Sequence, residues 1–122
     1  MLLPTKPQDI LTTGNRTDMN YLFGLIRCAS LLAGKTDLVY KVAKLNEEAG
    51  ELSAEILKKA GYKNADASES ELRRRIIEEA VDVLLMAGDI LTDVQATDAE
   101  MIECGEDAIE KWLTNLNKKY HG

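Results

Sequence analysis

The chain has 122 residues, a length that suits one compact domain. Hydrophobic residues make up 45% and charged residues 30%, the balance of an ordinary globular domain, and the formal charge of -6 argues against a general nucleic-acid binder, which needs a basic face. The first residues lack the pattern of a signal peptide, and no apolar run reaches the length of a membrane span. We therefore expect a cytoplasmic protein that binds neither nucleic acid nor membrane.

The N-terminal part of the chain is predicted to be irregular. Residues 1–16 contain both prolines of the sequence together with several turn-forming residues, and they predict an arm. Residues 17–122 are predicted to form a single helical domain. Its first helix is predicted to begin near Thr17 or Asp18, either of which can cap it, and to end at Gly34.

Three longer helices are predicted to follow. Capping boxes of the form Ser-x-x-Glu and Thr-x-x-Glu mark the starts of the last two. The predicted helices cover residues 37–60, 68–94 and 97–120. In the first of these three, apolar residues recur at four- and three-residue steps like the seam of a coiled coil, at Leu38, Val42, Leu45, Ala49, Leu52 and Ile56. Short connections predict an all-α four-helix bundle, and the broad apolar faces predict a homodimer or homotetramer.

Acidic residues recur at helical spacing on two consecutive helices. Glu47, Glu48 and Glu51 lie within about one turn of each other, and Glu79 and Asp82 lie three residues apart on the next helix. Carboxylates so placed can converge on a hard cation such as Mg²⁺, which also binds phosphate oxygens. The same spacing is typical of a solvated helix face. From spacing alone, both interpretations stay open.

Other residues give weaker expectations. Asp89 and Asp93 continue the acidic stripe and are expected to lie at a solvated helix end. Cys28 and Cys104 are too few for a disulfide framework or a zinc site and are expected to be buried thiols. Trp112 lies beside apolar positions of its helix, which favours packing in the core or at a subunit interface over stacking on a base.

The two acidic stretches together resemble a known signature. Glu47-Glu48-x-x-Glu51 followed by Glu79-x-x-Asp82 is similar to the motif of the MazG-like all-α nucleoside triphosphate pyrophosphohydrolases. That superfamily includes the dimeric dUTPases, the dCTPase-type enzymes and phosphoribosyl-ATP pyrophosphohydrolase. The similarity covers roughly residues 38–93 and extends to basic and amide residues near the C-terminus.

The resemblance implies hydrolysis of a nucleoside triphosphate, dependent on Mg²⁺ or its substitute Mn²⁺, to the monophosphate and pyrophosphate. It implies that the metal ligands are Glu48, Glu51, Glu79 and Asp82. Glu47 would bind a further ion or orient the attacking water. The residues expected to contact the substrate are Lys44, Lys111, Asn115 and Lys118. Two alternatives stay open: a phosphoribosyl-ATP pyrophosphohydrolase, and a non-catalytic helical interaction module.

Overall fold

A computed structural model describes residues 6, 9, 18–34, 37–61 and 65–121, without the side chain of residue 121. Within these residues the chain forms four α-helices and no strand, which confirms the all-α prediction. The helices are α1 (Met19–Ala33), α2 (Leu38–Lys59), α3 (Glu69–Asp93) and α4 (Asp98–His121). The predicted arm at residues 1–16 lies, apart from residues 6 and 9, outside the described residues.

Aspartates begin the first two helices. The Asp18 carboxylate accepts a hydrogen bond of 2.9 Å from the backbone N–H of Asn20, and the Asp37 carboxylate accepts one of 3.0 Å from that of Val39. Each bond satisfies an N–H group that has no partner within the helix. Of the two residues predicted to cap α1, Asp18 is the cap, and the predicted start of α2 near Asp37 is confirmed.

Hydroxyl caps begin the last two helices. Ser68 Oγ accepts a hydrogen bond of 3.3 Å from the backbone N–H of Glu71 at the start of α3. At the start of α4 the capping box is reciprocal: Thr97 Oγ1 accepts from the backbone N–H of Glu100 at 3.1 Å, and the Glu100 carboxylate accepts from that of Thr97 at 2.9 Å. Both predicted helix starts are confirmed.

Helix α3 is the centre of the fold. It packs against α2 along most of the hairpin and against α1 on another side, whereas α4 makes no close backbone contact with another described helix. An exposed salt bridge of 2.6 Å between Arg27 and Asp98 joins α1 to the first turn of α4. Three of the four helices thus form the packed unit within one chain.

The core of this unit is small. Ile26 and Leu72 are the buried hydrophobic residues of the described part of the chain. The predicted apolar seam of α2 is half-buried at Leu45 and Leu52 and exposed at its other positions, including Val42 at 56%. The buried residue of α2 is instead Lys41. Among the described helices, none has the long apolar run that a membrane span requires.

Helix α4 carries side chains that were expected to be buried. Cys104 is exposed and Cys28, on α1, is half-buried, so the prediction of buried thiols is wrong for Cys104, because α4 has no close neighbour. Trp112 is 65% exposed, which excludes core packing within one chain. Packing of Trp112 at a subunit interface stays a prediction.

Gly88 of α3 lies directly against Ile26 of α1. A Cβ atom at this position would lie 2.4 Å from Ile26 Cγ2, a distance that forces the helices or the side chain to shift. We expect Gly88→Ala to lower the free energy of unfolding by about 1–3 kcal/mol, the usual cost of overpacking. Gly50→Ala is the matched control, because no atom lies within 4 Å of its added Cβ.

In the control, alanine should be neutral or raise stability by up to about 1 kcal/mol, because it replaces a helical glycine. Urea denaturation followed by circular dichroism measures both variants. Equal stability of Gly88→Ala and wild type would contradict the α1–α3 packing described here.

Candidate metal site

Two salt bridges set the register between α2 and α3. Lys41 lies 2.9 Å from Asp89, and Lys59 lies 2.6 Å from Glu69. The paired residue numbers rise along α2 as they fall along α3, so the two helices are antiparallel. The five acidic residues of the predicted motif lie between these two salt bridges.

Three carboxylates converge in this interval. One oxygen from each of Glu48, Glu51 and Glu79 lies within 4.8 Å of the other two. We call these three residues the acid cluster. Glu48 and Glu51 share a face of α2 because they are three residues apart. The register described above brings Glu79 opposite them. Three of the four predicted metal ligands are therefore together in the structure.

Two oxygens of the acid cluster have no hydrogen-bond partner. Glu48 Oε2 and Glu79 Oε2 are both shielded from solvent and accept no hydrogen bond from any described group. A buried carboxylate oxygen without a donor or a cation loses its hydration without compensation. The two atoms therefore mark a position where a positively charged group would be stabilised.

The pKa values of Glu48 and Glu79 also show that negative charge is unfavourable at the acid cluster. Burial raises the pKa of Glu48, and the charges of Glu51 and Asp82 raise it further. Burial also raises the pKa of Glu79, followed by its interactions with Glu51 and the charges of Asp82 and Glu48. Each group thus disfavours its charged form in the folded chain.

The spacing of the acid cluster is close to that of a hydrated Mg²⁺ or Mn²⁺ site. Oxygen ligands of Mg²⁺ lie at about 2.0–2.1 Å, so ligands on opposite sides of the ion are roughly 4.2 Å apart. Ligands that are not opposite each other are closer together, so the three oxygens, which lie within 4.8 Å of one another, have to move towards a common centre to bind one ion. The donor set, carboxylates alone, is the type that hard divalent cations prefer.

The remaining predicted acids lie beside the acid cluster. Asp82 is half-buried, and its charge acts on both Glu48 and Glu79, but its oxygens do not join the three-way convergence. Glu47 is exposed and accepts a hydrogen bond of 3.3 Å from Lys44 Nζ. That bond raises the pKa of Lys44. Lys44, predicted to bind substrate, is thus paired one turn from the acid cluster.

The other predicted substrate contacts lie elsewhere in the chain. Lys111 and Asn115 line one shallow hollow on the surface of α4, and Lys118 is exposed on the same helix. Because α4 makes no close backbone contact with α2 or α3, a single chain does not bring these residues to the acid cluster. Their contact with phosphate stays a prediction.

One further acidic residue near the acid cluster, Glu55, was not predicted. Glu55 lies one turn beyond Glu51 on α2; its Oε2 is shielded from solvent without a hydrogen-bond partner, while Oε1 accepts from Lys58 at 3.1 Å. The four-residue spacing from Glu51 was the available signal.

The expected solvated helix end at Asp89 and Asp93 is wrong. The Asp93 side chain is 5% exposed and that of Asp89 is 23% exposed, because both pair with the buried Lys41 of α2. The partners of Lys41 were not predicted. The available signal is a seven-residue spacing, since Lys41 precedes Glu48 by two turns on the same face of α2.

Comparisons of the chain with protein-family models, with curated proteins and with solved structures gave no match. The resemblance to the MazG-like enzymes therefore depends on the motif residues themselves. What the structure adds is the convergence of Glu48, Glu51 and Glu79 from two helices.

The raised pKa values predict how the stability of the metal-free protein depends on pH. An acid with a raised pKa binds more protons in the folded state, so the free energy of unfolding falls as pH rises from the ordinary value of 4.5 through the raised pKa. Glu79→Gln removes one such group and should make this fall shallower. Asp89, with a lowered pKa, titrates below its ordinary value of 3.8 and does not contribute in this range.

Urea denaturation in the presence of a chelator, at several pH values between about 5 and 7.5, measures this slope. Glu78→Gln is the control, because Glu78 is exposed and pairs with Arg74 instead of the acid cluster. Identical slopes for wild type and Glu79→Gln would contradict the conclusion that the ionised carboxylates of the acid cluster are destabilised by burial and by each other.

Proposed function

We propose that the acid cluster holds divalent cations and that the protein hydrolyses a nucleoside triphosphate, a deoxynucleotide or non-standard nucleotide, to the monophosphate and pyrophosphate. The proposal rests on the convergence of Glu48, Glu51 and Glu79 from two helices, together with one oxygen each of Glu48 and Glu79 that is shielded from solvent and has no hydrogen-bond partner. The motif resemblance supports the choice of reaction. The acidic surface excludes the phosphates of a nucleotide unless cations neutralise it.

The residues of the chain divide the work of this reaction. Glu48, Glu51, Glu79 and Asp82 would hold Mg²⁺ or Mn²⁺, which when bound polarises phosphate oxygens and lowers the pKa of a bound water. Glu47, exposed beside the acid cluster, would orient the attacking water and accept its proton. The oxygen of that water forms the new bond to the α-phosphorus. The bond between the α-phosphorus and the oxygen that bridges it to the β-phosphorus breaks, and pyrophosphate leaves with that oxygen.

We further propose that the active form is a MazG-type oligomer of identical chains. The support is the small core, with only Ile26 and Leu72 buried among the apolar residues described, since a domain of this size normally buries most of its apolar side chains. Helix α4 alone carries five large side chains that are each more than half exposed: Ile102, Ile109, Trp112, Leu113 and Tyr120. A long helix with no packed face is marginal in water.

A second copy would also bring the predicted phosphate contacts within reach. Lys111, Asn115 and Lys118 lie on α4, away from the acid cluster of their own chain. Residues 111–122 contain three lysines and no acidic residue, so this end of the helix attracts an anion. In an oligomer the β- and γ-phosphates could lie between this end of one copy and the cations of another.

Activity tests the proposal directly. Incubation with Mg²⁺ and each common or modified nucleoside triphosphate, with phosphoribosyl-ATP in the same panel, should release pyrophosphate from at least one, as followed by a coupled assay. Glu51→Gln and Asp82→Asn should lower kcat/KM by at least about 100-fold, more than the loss of an outer-shell partner costs. Glu78→Gln, beside Glu79 but outside the acid cluster, should retain activity.

Circular dichroism establishes that each variant keeps its helices. Well-folded wild type that releases no pyrophosphate from any substrate would contradict the enzyme proposal and favour a non-catalytic helical module. Normal turnover by Glu51→Gln would contradict the assignment of the ligands.

The oligomer proposal predicts a solution mass that is twice or four times the 13.5 kDa of the chain. Ile109→Glu combined with Trp112→Glu should lower this mass, because the two added charges lie on the exposed apolar face of α4. Glu103→Lys, a charge change of the same size at an exposed position on the polar face of the same helix, is the control and should leave it unchanged. Light scattering after size exclusion measures the mass, and a wild-type mass of one chain would contradict the proposal.

A further inference from the structure

Lys41 is the buried residue of α2, with 4% of its side chain exposed. Lysine is among the residues least often fully buried. Where a lysine is buried, its ammonium group needs a negatively charged partner. Its ammonium group lies 2.9 Å from Asp89 and is also bonded to Asp93, one turn further along α3. The hairpin therefore has an ionic contact at the position where an apolar side chain is usual.

The contact extends to the third packed helix. Ser30, buried on α1, donates its hydroxyl hydrogen bond to Asp89. Ser30, Lys41, Asp89 and Asp93, named the buried ion cluster, thus join α1, α2 and α3. Burial lowers the pKa of Lys41, but the hydrogen bonds and charges of Asp93 and Asp89 outweigh it, and the pKa ends above its ordinary value. Lys41 is charged across the neutral range.

The buried ion cluster and the acid cluster lie in the same seam. Lys41 precedes Glu48 by seven residues and Asp89 follows Asp82 by seven, which is two turns, or about 10 Å, along each helix. At the other end of the hairpin, the Lys59–Glu69 salt bridge is exposed on both sides. Exposed salt bridges are screened by solvent and contribute little stability. The buried contact of Lys41 therefore holds α2 against α3 more strongly than the Lys59–Glu69 salt bridge does.

The acid cluster itself pushes the hairpin apart. Its carboxylates repel one another across α2 and α3, and the apolar contact between the two helices is sparse, since Leu72 is the buried residue of α3. Buried ion pairs contribute little net stability compared with apolar packing, but they can fix which residues face each other. A shift of one residue along the hairpin would leave Lys41 buried without its two partners.

We propose that Lys41 is a positioning residue: its contact with Asp89 and Asp93 fixes α2 against α3 so that Glu48 and Glu51 face Glu79 at cation-binding spacing. The inference deepens the proposed function and rests on it for the role of the cation. A positioning role of Lys41 and a purely electrostatic role predict opposite effects on cation binding. Removing a positive charge near a cation site should tighten cation binding, whereas loss of the register should weaken it.

Titration with Mn²⁺, followed by electron paramagnetic resonance of the free ion, separates these two effects. Lys41→Met, which keeps the length of the side chain without its charge, should weaken Mn²⁺ binding by roughly ten-fold or more, as loss of an outer-shell support does. Lys59→Met, at the exposed end of the same hairpin, should change it by less than about two-fold. Unchanged or tighter binding by folded Lys41→Met would overturn the inference.

A metal-free measurement distinguishes failure of this inference from failure of the proposed function. Nitroxide labels at Ser53→Cys on α2 and Glu78→Cys on α3, in a chain with both native cysteines replaced by serine, report the distance between the helices. Labelled protein is diluted with unlabelled protein so that distances within one chain dominate. Lys41→Met should broaden the distance distribution, and Lys59→Met should not.

An unchanged distribution in Lys41→Met would overturn the inference whatever the metal affinity. Wild type that binds no Mn²⁺ would overturn the proposed function, and the distance measurement would then decide the positioning role alone. If Lys41→Met loses its helices, Asp93→Asn replaces it, because it removes one of the two carboxylates and leaves the Lys41–Asp89 pair. It should shift both measurements in the same direction by a smaller amount.

Discussion

Repulsion among carboxylates is the constraint on which the α2–α3 hairpin depends. Oxygens of Glu48, Glu51 and Glu79 converge within 4.8 Å from two helices, and burial and mutual charge disfavour their ionised forms. Such an arrangement persists only where other interactions hold the helices together. Here the salt bridges of Lys41 and Lys59 lie on either side of the acid cluster, and the buried one also connects to α1. A bound cation would convert the remaining repulsion into attraction.

The distribution of polar and apolar surface follows from this polar seam. The face that α2 turns towards α3 carries Lys41 and the acids, and Leu38, Val42 and Ile56 of the predicted apolar seam stay exposed. Helix α4 has an exposed apolar face as well and no close partner among the other described helices. A chain that uses its main helix–helix contact for charged groups has less apolar surface buried within itself. The proposed oligomer supplies the burial that this contact does not.

Local chemistry made the helices predictable from the sequence. Asp18, Asp37, Ser68 and Thr97 cap their helices through bonds to residues two or three positions away, and such bonds depend on the nearby sequence alone. The acid cluster was predictable to the extent that helical spacing places Glu48 beside Glu51. That Glu79 would face them needed the order of the helices, which the motif resemblance supplied.

The partners of Lys41 could not be predicted in the same way. Helical spacing gives only the neighbours of Lys41 on α2, whereas the structure pairs it with Asp89 and Asp93 of α3. The choice between these partners depends on the register of two helices, and register is set by contacts between residues far apart in the chain. The exposure of Cys104 was missed for a related reason, because the sequence does not tell whether α4 packs within its own chain.

Anomalous diffraction from crystals grown with Mn²⁺ shows whether the acid cluster binds a divalent cation. We expect an anomalous peak within coordination distance of carboxylate oxygens of Glu48, Glu51 and Glu79, at about 2.2 Å for an ion between Mg²⁺ and Ca²⁺ in size. The peak should be lost in Glu79→Gln and kept in Glu78→Gln. Crystals saturated with Mn²⁺ that show no peak there, or a peak only elsewhere, would contradict cation binding by the acid cluster.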